Sequence, residues 1–235
     1  MEDSTTTTFF KSVATPPWVV HRTRFPFLRD GIKRGFDILI ALVGLGLLWP
    51  VFLVLGVAIK RDSQGPVFYR GKRSGKGGKV FNILKFRTMY EQPESYTGPG
   101  VTAEDDPRVT RLGGWLRASK MNELPQLWNV LKGEMSLVGP RPEDVEITEA
   151  WPEDIAREVL SVRPGITSPA SVLYRDEEAL LYSSRLMDAY LGGIAPSKLR
   201  LDQLYVRYRS PLLDLDILLW TFLVLLPRVC SLNPP

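Results

Sequence analysis

ILIALVGLGLLWPVFLVLGVAI, residues Ile38 to Ile59, runs for 22 positions without a charged side chain. That length meets the requirement for a helix crossing the hydrocarbon core of a bilayer. The run starts too late and is too long for a signal peptide, and no small-residue cleavage site follows it. A single straight span is the simplest reading. Two features argue for a helix that enters and leaves on the same side. Pro50, preceded by Trp49, removes a backbone hydrogen bond inside the run and favours a kink. The flanks Lys33-Arg34 and Lys60-Arg61 are both basic, so the positive-inside rule places both ends in the cytoplasm. The piece before Pro50 is only about 18 Å long at ~1.5 Å per residue, short of a ~30 Å core. Kinked spans occur as well, so the residues leave both arrangements open.

Outward from this run, the 235-residue chain is 44% hydrophobic and 24% charged, which suits a folded domain with a short lead-in. It has one cysteine, Cys230, and one histidine, His21. These counts exclude an internal disulfide, a Cys/His zinc cluster and, since His21 lies in a polar lead-in, a serine triad. The charge of +4 suits anionic lipid, phosphorylated substrates or nucleic acid. Arg70, Lys72, Arg73, Lys76 and Lys79 follow closely on the apolar run, which favours headgroups and membrane-proximal phosphates. A nucleic-acid binder predicts a chain without such a run.

The fold class expected is α/β, mostly helical with a small β-hairpin. Residues 1–30 read as an irregular lead-in, broken by Pro16, Pro17 and Pro26, whose Phe9, Phe10, Trp18, Phe25 and Phe27 could dip into an interface. Residues 31–61 form the membrane helix, and 62–235 a cytoplasmic domain. Val67–Arg70 and Lys79–Met89 read as two strands around the turn material GKRSGKGG. A polar loop spans 91–107. Helices are expected near Arg108–Arg117, over Leu124–Lys132 with Gly133 as terminator, and over Pro152–Leu160. Leu212–Pro227 is apolar but holds Asp214 and Asp216, and reads as an interfacial helix.

The segment SKMNELPQLWNVLKGEMSLVGPRPE, Ser119 to Glu143, resembles the signature of the bacterial sugar transferases, the monotopic phosphoglycosyl transferases. The resemblance runs from about Lys33 to Leu226. It takes in KRGFDILIALVGL, GPVFYRGKRSGKGGKVFNILKFRTM, DDPRVTRLGGWLR, VRPGIT and YRSPLLDLDILLWT. It implies a re-entrant helix broken at a proline (here Trp49-Pro50), in one leaflet of the bacterial inner membrane, with an α/β domain and interfacial helices on the cytoplasmic face. It also implies transfer of a sugar-1-phosphate from a UDP-sugar to undecaprenyl phosphate, with release of UMP. The family uses an Asp-Glu pair and Mg²⁺, the Asp attacking the β-phosphate to give a covalent intermediate. This chain reads Asn122-Glu123 at that pair, and a carboxamide is a far poorer nucleophile than a carboxylate.

The resemblance makes Asn122 and Glu123 the catalytic positions, with Glu123 as the metal ligand. It makes Lys85, Arg87, Arg117, Arg141 and Arg163 the substrate-binding set. Physical chemistry agrees in part. Arg141 is fixed between Pro140 and Pro142, and a preorganised guanidinium suits phosphate oxygens. Pro164 and Gly165 follow Arg163 in a similar tight setting. A carboxylate such as Glu123 suits Mg²⁺ shared with substrate phosphates. A helix starting near Asn122 would turn its N–H groups toward a phosphate. The bland alternatives are a helix N-cap for Asn122, a helix-terminus acid for Glu123, solvated charges or salt bridges for the cations, and core packing for Trp128 and Leu131. Two functions compete: the transferase, and a catalytically silent relative that holds UDP-sugar or organises glycan enzymes at the membrane. The sugar is not readable from SPASVLYRDEEALL, and the oligomeric state, a homodimer included, stays open.

Overall fold

The computed structural model describes residues 26–93, 95, 102, 106–174 and 195–229. His21, Cys230, the aromatic residues before Pro26 and much of the loop after Glu91 lie outside the described residues. The chain order is α1 (Pro26–Asp62), β1 (Phe68–Ser74), β2 (Val80–Phe86), α2 (Arg111–Ala118), α3 (Gln126–Lys132), β3 (Ser136–Val138), α4 (Val145–Glu149), α5 (Glu153–Val159), β4 (Gly165–Thr167), α6 (Pro169–Leu173), α7 (Ala195–Tyr208) and α8 (Pro211–Val229).

α1 begins at Pro26, inside the stretch read as irregular, because proline is tolerated in the first helical turn where its missing N–H has no partner to lose. It continues as one element through Pro50. The run of 22 apolar residues is therefore part of a 37-residue helix, about 55 Å long at ~1.5 Å per residue. Its length and composition are those of a membrane-crossing helix.

This helix is docked along its length. Arg34 donates to Leu131 O (3.2 Å), and Asp37 accepts from Ser136 Oγ (2.8 Å) and Leu137 N (3.1 Å). Ala41, Leu45 and Leu48 pack on Phe81, Ile83, Leu127 and Val130, while Val51, Phe52, Leu55 and Ile59 join Phe86 and Leu116. These positions recur every three or four residues, so one face carries all the contacts. The other face, with Leu39 (58% exposed), Leu47 (74%) and Trp49 (63%), is bare and apolar. α8 has the same two-sided character. Ile217 enters the core, while Leu212, Leu215, Leu219 and Phe222 are exposed. The awkward Asp214 is buried, held by Lys33 Nζ (2.7 Å) and the Tyr205 hydroxyl (2.6 Å), which ties the start of α8 to the start of α1.

The expected hairpin is present, with Phe68 opposite Phe86 and Ser74 opposite Val80. β1 runs on through Gly71–Ser74, residues read as turn, and a 3-10 turn at Lys76–Gly78 closes the hairpin. α3 is fastened to β2 by one side chain. Asn129 accepts from Leu84 N (2.9 Å) and donates to Asn82 O (2.8 Å), as a neighbouring strand would. Gly133, at φ 84°, ends α3 as expected.

A second, parallel pair, β3 and β4, was not legible beforehand. It joins the GPRP and VRPG segments: Gly139 N donates to Thr167 O (3.0 Å) and Gly165 N to Pro140 O (2.8 Å). A Cβ on Gly165 would overlap Gly139 N, so both glycines are needed for backbones this close.

Candidate active site

Between the start of α3, the β3–β4 pair and helices α6, α7 and α8 lies a cleft of about 170 Å³. Leu124, Leu127, Ile166 and Val172 are the apolar part of its lining, and Lys120, Glu123, Arg141 and Lys198 the charged part.

Glu123 reaches this cleft through a tight backbone path. Lys120 takes a left-handed conformation (φ 57°), rare outside glycine, and a 3-10 turn follows over Met121–Glu123. α3 itself starts only at Gln126, and Asn122 makes no capping bond. The N-cap role weighed for Asn122 is thus not used, because the intervening turn moves the helix start four residues downstream. A seven-residue helix beginning there gives no separate phosphate site.

Lys85 projects from β2 to the same point, with Nζ 2.8 Å from Glu123 Oε1. Burial opposes ionisation of Glu123, but the charges of Lys85, Arg141 and Lys120 outweigh it and hold the carboxyl at about 2. Burial lowers the pKa of Lys85, against the attraction of Glu123. Arg141 is set by the Gly139–Pro142 segment, and its backbone N–H donates to Asp202 Oδ2 (3.2 Å). Asp202, on α7, is buried with Oδ1 unpartnered. Burial raises its pKa to about 7, with the like charge of Glu143 adding to the rise and the Arg141 N–H opposing it. Lys198, one turn earlier on α7, lies 3.7 Å from Glu143 Oε1.

The structure therefore brings Glu123, Lys85 and Arg141 together. Asn122 is adjacent in the chain, but its Oδ1 is buried without a hydrogen-bond partner. Arg87 is elsewhere: its guanidinium donates to Ser63 O (2.8 Å) and Gln64 O and so closes the C-terminal end of α1. Arg163 donates Nε to Gly133 O (2.8 Å) and faces a separate pocket. Arg117, in the last turn of α2, acts on Asp106 through its charge. Trp49 and Pro50 lie on α1, with Trp49 exposed. Trp128 is half exposed rather than core, and Leu131 packs against the main core.

Lys120, Lys198 and Asp202 were not anticipated. A signal for the last two exists: Lys198, Asp202 and Tyr205 sit at i, i+4 and i+7, one face of α7, and all three are buried. Charged residues at core spacing mark a polar site inside the fold. Among the described residues no group of three or more metal-binding side chains occurs. The oxygen donors at the cleft fit Mg²⁺ only as the protein half of a site. Glu123 is ionised but has three cations around it, and Asn122 Oδ1 is buried outside the cleft lining, so Mg²⁺ fits here only if substrate phosphates supply most of its ligands.

Residues 28–228 match the bacterial sugar transferase family. The chain is 43% identical over 147 residues to an undecaprenyl-phosphate glucose phosphotransferase of Komagataeibacter xylinus, covering 60% of this chain and 27% of that protein. It is 43% identical over 145 residues to a UDP-N-acetylgalactosamine-undecaprenyl-phosphate N-acetylgalactosaminephosphotransferase of Aeromonas hydrophila, covering 61% and 34%. These two relatives are thus much longer than the region they share with this chain. The exopolysaccharide production protein ExoY of Sinorhizobium fredii matches more evenly, 36% identical over 212 residues, with 84% of this chain and 85% of the relative aligned. With the family match running from the third residue of α1 to the last residue but one of α8, the chain belongs to the bacterial sugar transferases.

Proposed function

We propose that this chain works at the cytoplasmic face of the bacterial inner membrane, on a UDP-sugar and undecaprenyl phosphate, transferring sugar-1-phosphate to the lipid and releasing UMP. The observation that carries this reading is a cleft lined by both cations and apolar side chains. Lys85, Arg141 and Lys120 gather positive charge around Glu123, Lys198 adds a further cation to the lining, and Leu124, Leu127, Ile166 and Val172 are its apolar part. Cations suit phosphates, and apolar side chains suit an isoprenoid. Arg141 orients phosphate oxygens, and Glu123, ionised at neutral pH, accepts hydrogen bonds or holds the ion that accompanies the diphosphate. Mg²⁺ would supply charge neutralisation there, held by Glu123.

The attachment we propose is to one leaflet. Arg34 and Asp37 near the start of α1, and Ile59 and Ser63 at its end, bond to the same domain. A domain confined to the cytoplasm cannot grip both ends of a helix that crosses to the other side. The bare apolar faces of α1 and α8 meet the lipid.

A second reading is favoured by Asn122: a chain that binds both substrates and does not turn them over. UMP release from a UDP-sugar and undecaprenyl phosphate, measured for this chain and for Asn122→Asp, separates the two. Release by both chains supports the transferase. Release by Asn122→Asp alone supports the silent reading. Release by neither, across a panel of UDP-sugars, removes the assignment.

A further inference from the structure

A second pocket, of about 60 Å³, opens where the polar ends of the two apolar helices meet. It is lined by Lys33 and Arg34 at the start of α1, Lys76 in the hairpin turn, Arg163 before β4 and Arg209 just before α8. Asp30 and Asp37 are its acids. Asp214 engages Lys33 from the side, so the lining keeps an excess of about two positive charges.

The cations differ in how far their hydrogen bonds are used. Arg34 donates to Leu131 O and Met135 O. Arg163 uses Nε on Gly133 O. Both therefore crowd the last carbonyls of α3, a favourable place for cations. Among the described residues, the two terminal nitrogens of Arg163 and the Nζ of Lys76 have no hydrogen-bond partner. Arg209 reaches Asp30 at 3.3 Å, and burial followed by the like charge of Arg29 lowers its pKa. Like charges gathered with unused donors form a site whose electrostatics are completed by an anion.

Its position identifies the anion's chemistry. Leu28, Ile32 and Phe36 are exposed on α1 beside Lys33 and Arg34, and Leu212 and Leu215 are exposed on α8 just beyond Arg209. A basic pocket at the foot of lipid-facing helices is the setting in which phospholipid headgroups are held.

We infer that this pocket is an anion site, distinct from the Glu123 cleft, that takes a phosphate group through Arg163, Lys76 and Arg34. The phosphodiester of an anionic phospholipid fits its place best, and a free phosphate shares the chemistry. The lipid assignment rests on the one-leaflet attachment proposed above.

The test uses the full chain in detergent micelles and native mass spectrometry. Dioleoylphosphatidylglycerol, dioleoylphosphatidylcholine and inorganic phosphate are titrated separately. One retained phosphatidylglycerol is expected, in preference to phosphatidylcholine. Lys76→Gln with Arg163→Gln is expected to weaken that retention roughly tenfold or more, given two lost charges near the headgroup. Lys60→Gln with Arg61→Gln, at the opposite end of α1, is expected to leave it unchanged. Because Arg163 also closes α3, Lys76→Gln alone, on an exposed turn, serves as the variant that keeps the fold, with a smaller loss. Saturation by inorganic phosphate with no lipid preference supports the anion site and assigns it a soluble source. Equal losses in the two double variants, or none in either pocket variant, would overturn the site. Carbonate-resistant membrane pelleting is measured in parallel: it stays intact when the pocket alone fails. Its absence in the parent chain removes the attachment, and with it the lipid assignment.

Discussion

Lys85 on the second hairpin strand and Glu123 in the turn before α3, 38 residues apart in sequence, meet at 2.8 Å with both side chains largely withdrawn from solvent. Breaking such a pair leaves an uncompensated buried charge. Lys85→Met is expected to lower unfolding free energy by about 3 kcal/mol, softened by Arg141 and Lys120, which still face Glu123. Since the folded pKa of Glu123 lies below its ordinary value, the contribution of the pair is intact above pH ~5 and is lost as pH falls toward 2. Lys85→Met with Glu123→Gln is expected to recover part of the loss. Denaturant unfolding of the parent, both singles and the double checks this; strict additivity would show that the pair is not coupled.

On the proposed reaction, position 122 is where a covalent route would open or close. The parent chain is expected to form no phosphosugar adduct there, because a carboxamide lacks the electron-rich oxygen that nucleophilic attack needs. Asn122→Asp is expected to gain the adduct, and Glu123→Gln in that background to lose Mg²⁺-dependent turnover by several orders of magnitude. Intact-mass spectra after incubation with a UDP-sugar and Mg²⁺ report it. Rapid UMP release by an undeamidated parent would support the transferase and show that position 122 is not its nucleophile.

Both ends of α1 are expected on the cytoplasmic side. Single cysteines introduced near Arg29 and Arg61, in a Cys230→Ser background, are expected to react with a membrane-impermeant maleimide only after the cells are opened. Labelling of either site from the periplasm would rule out the one-leaflet arrangement.

Asp202 makes stability fall with rising pH. Its folded pKa, about 7, lies above the ordinary value of ~3.9, so the native state binds the extra proton between them. The contribution of Asp202 to stability is therefore fully present below pH ~4, falls through the window up to 7 and levels off above it. Asp202→Asn, which can still accept the Arg141 N–H, is expected to remove that fall and to gain up to a few kcal/mol on the parent at pH 8, at ~1.4 kcal/mol per unit. Unfolding midpoints from pH 4 to 8 measure it, and parallel curves for the two chains would show that Asp202 does not titrate in this range.

Much of this fold could be read from local pattern. The strands of the hairpin, the Gly133 terminator and the apolar run announce themselves in short windows of sequence. The β3–β4 pair does not, since its three-residue strands are fixed by a contact between segments 29 residues apart and have no period to detect. The site was legible where a rigid local frame marks a residue, as the prolines do for Arg141. It was not legible where tertiary packing chooses the partner. Arg87 alternates with Lys85 on one strand face in the sequence, yet β2 ends at Phe86 and Arg87 turns to the carbonyls closing α1. Arg163 follows the same logic, drawn to Gly133 O by the end of α3.

The lengthwise docking of α1 has a consequence for how the chain comes to exist. Ala41, Leu55 and Ile59 are interior residues of the same cores that contain Phe81, Ile83 and Phe86. The anchor and the globular part are one cooperative unit. A fragment starting after Asp62 would present those aromatic and branched side chains to water, and no trimming of α1 yields a soluble enzyme. Within this region α1 is made before the hairpin and helices it packs on, so on the proposed membrane attachment a bilayer would cover Ala41, Leu55 and Ile59 until those partners exist.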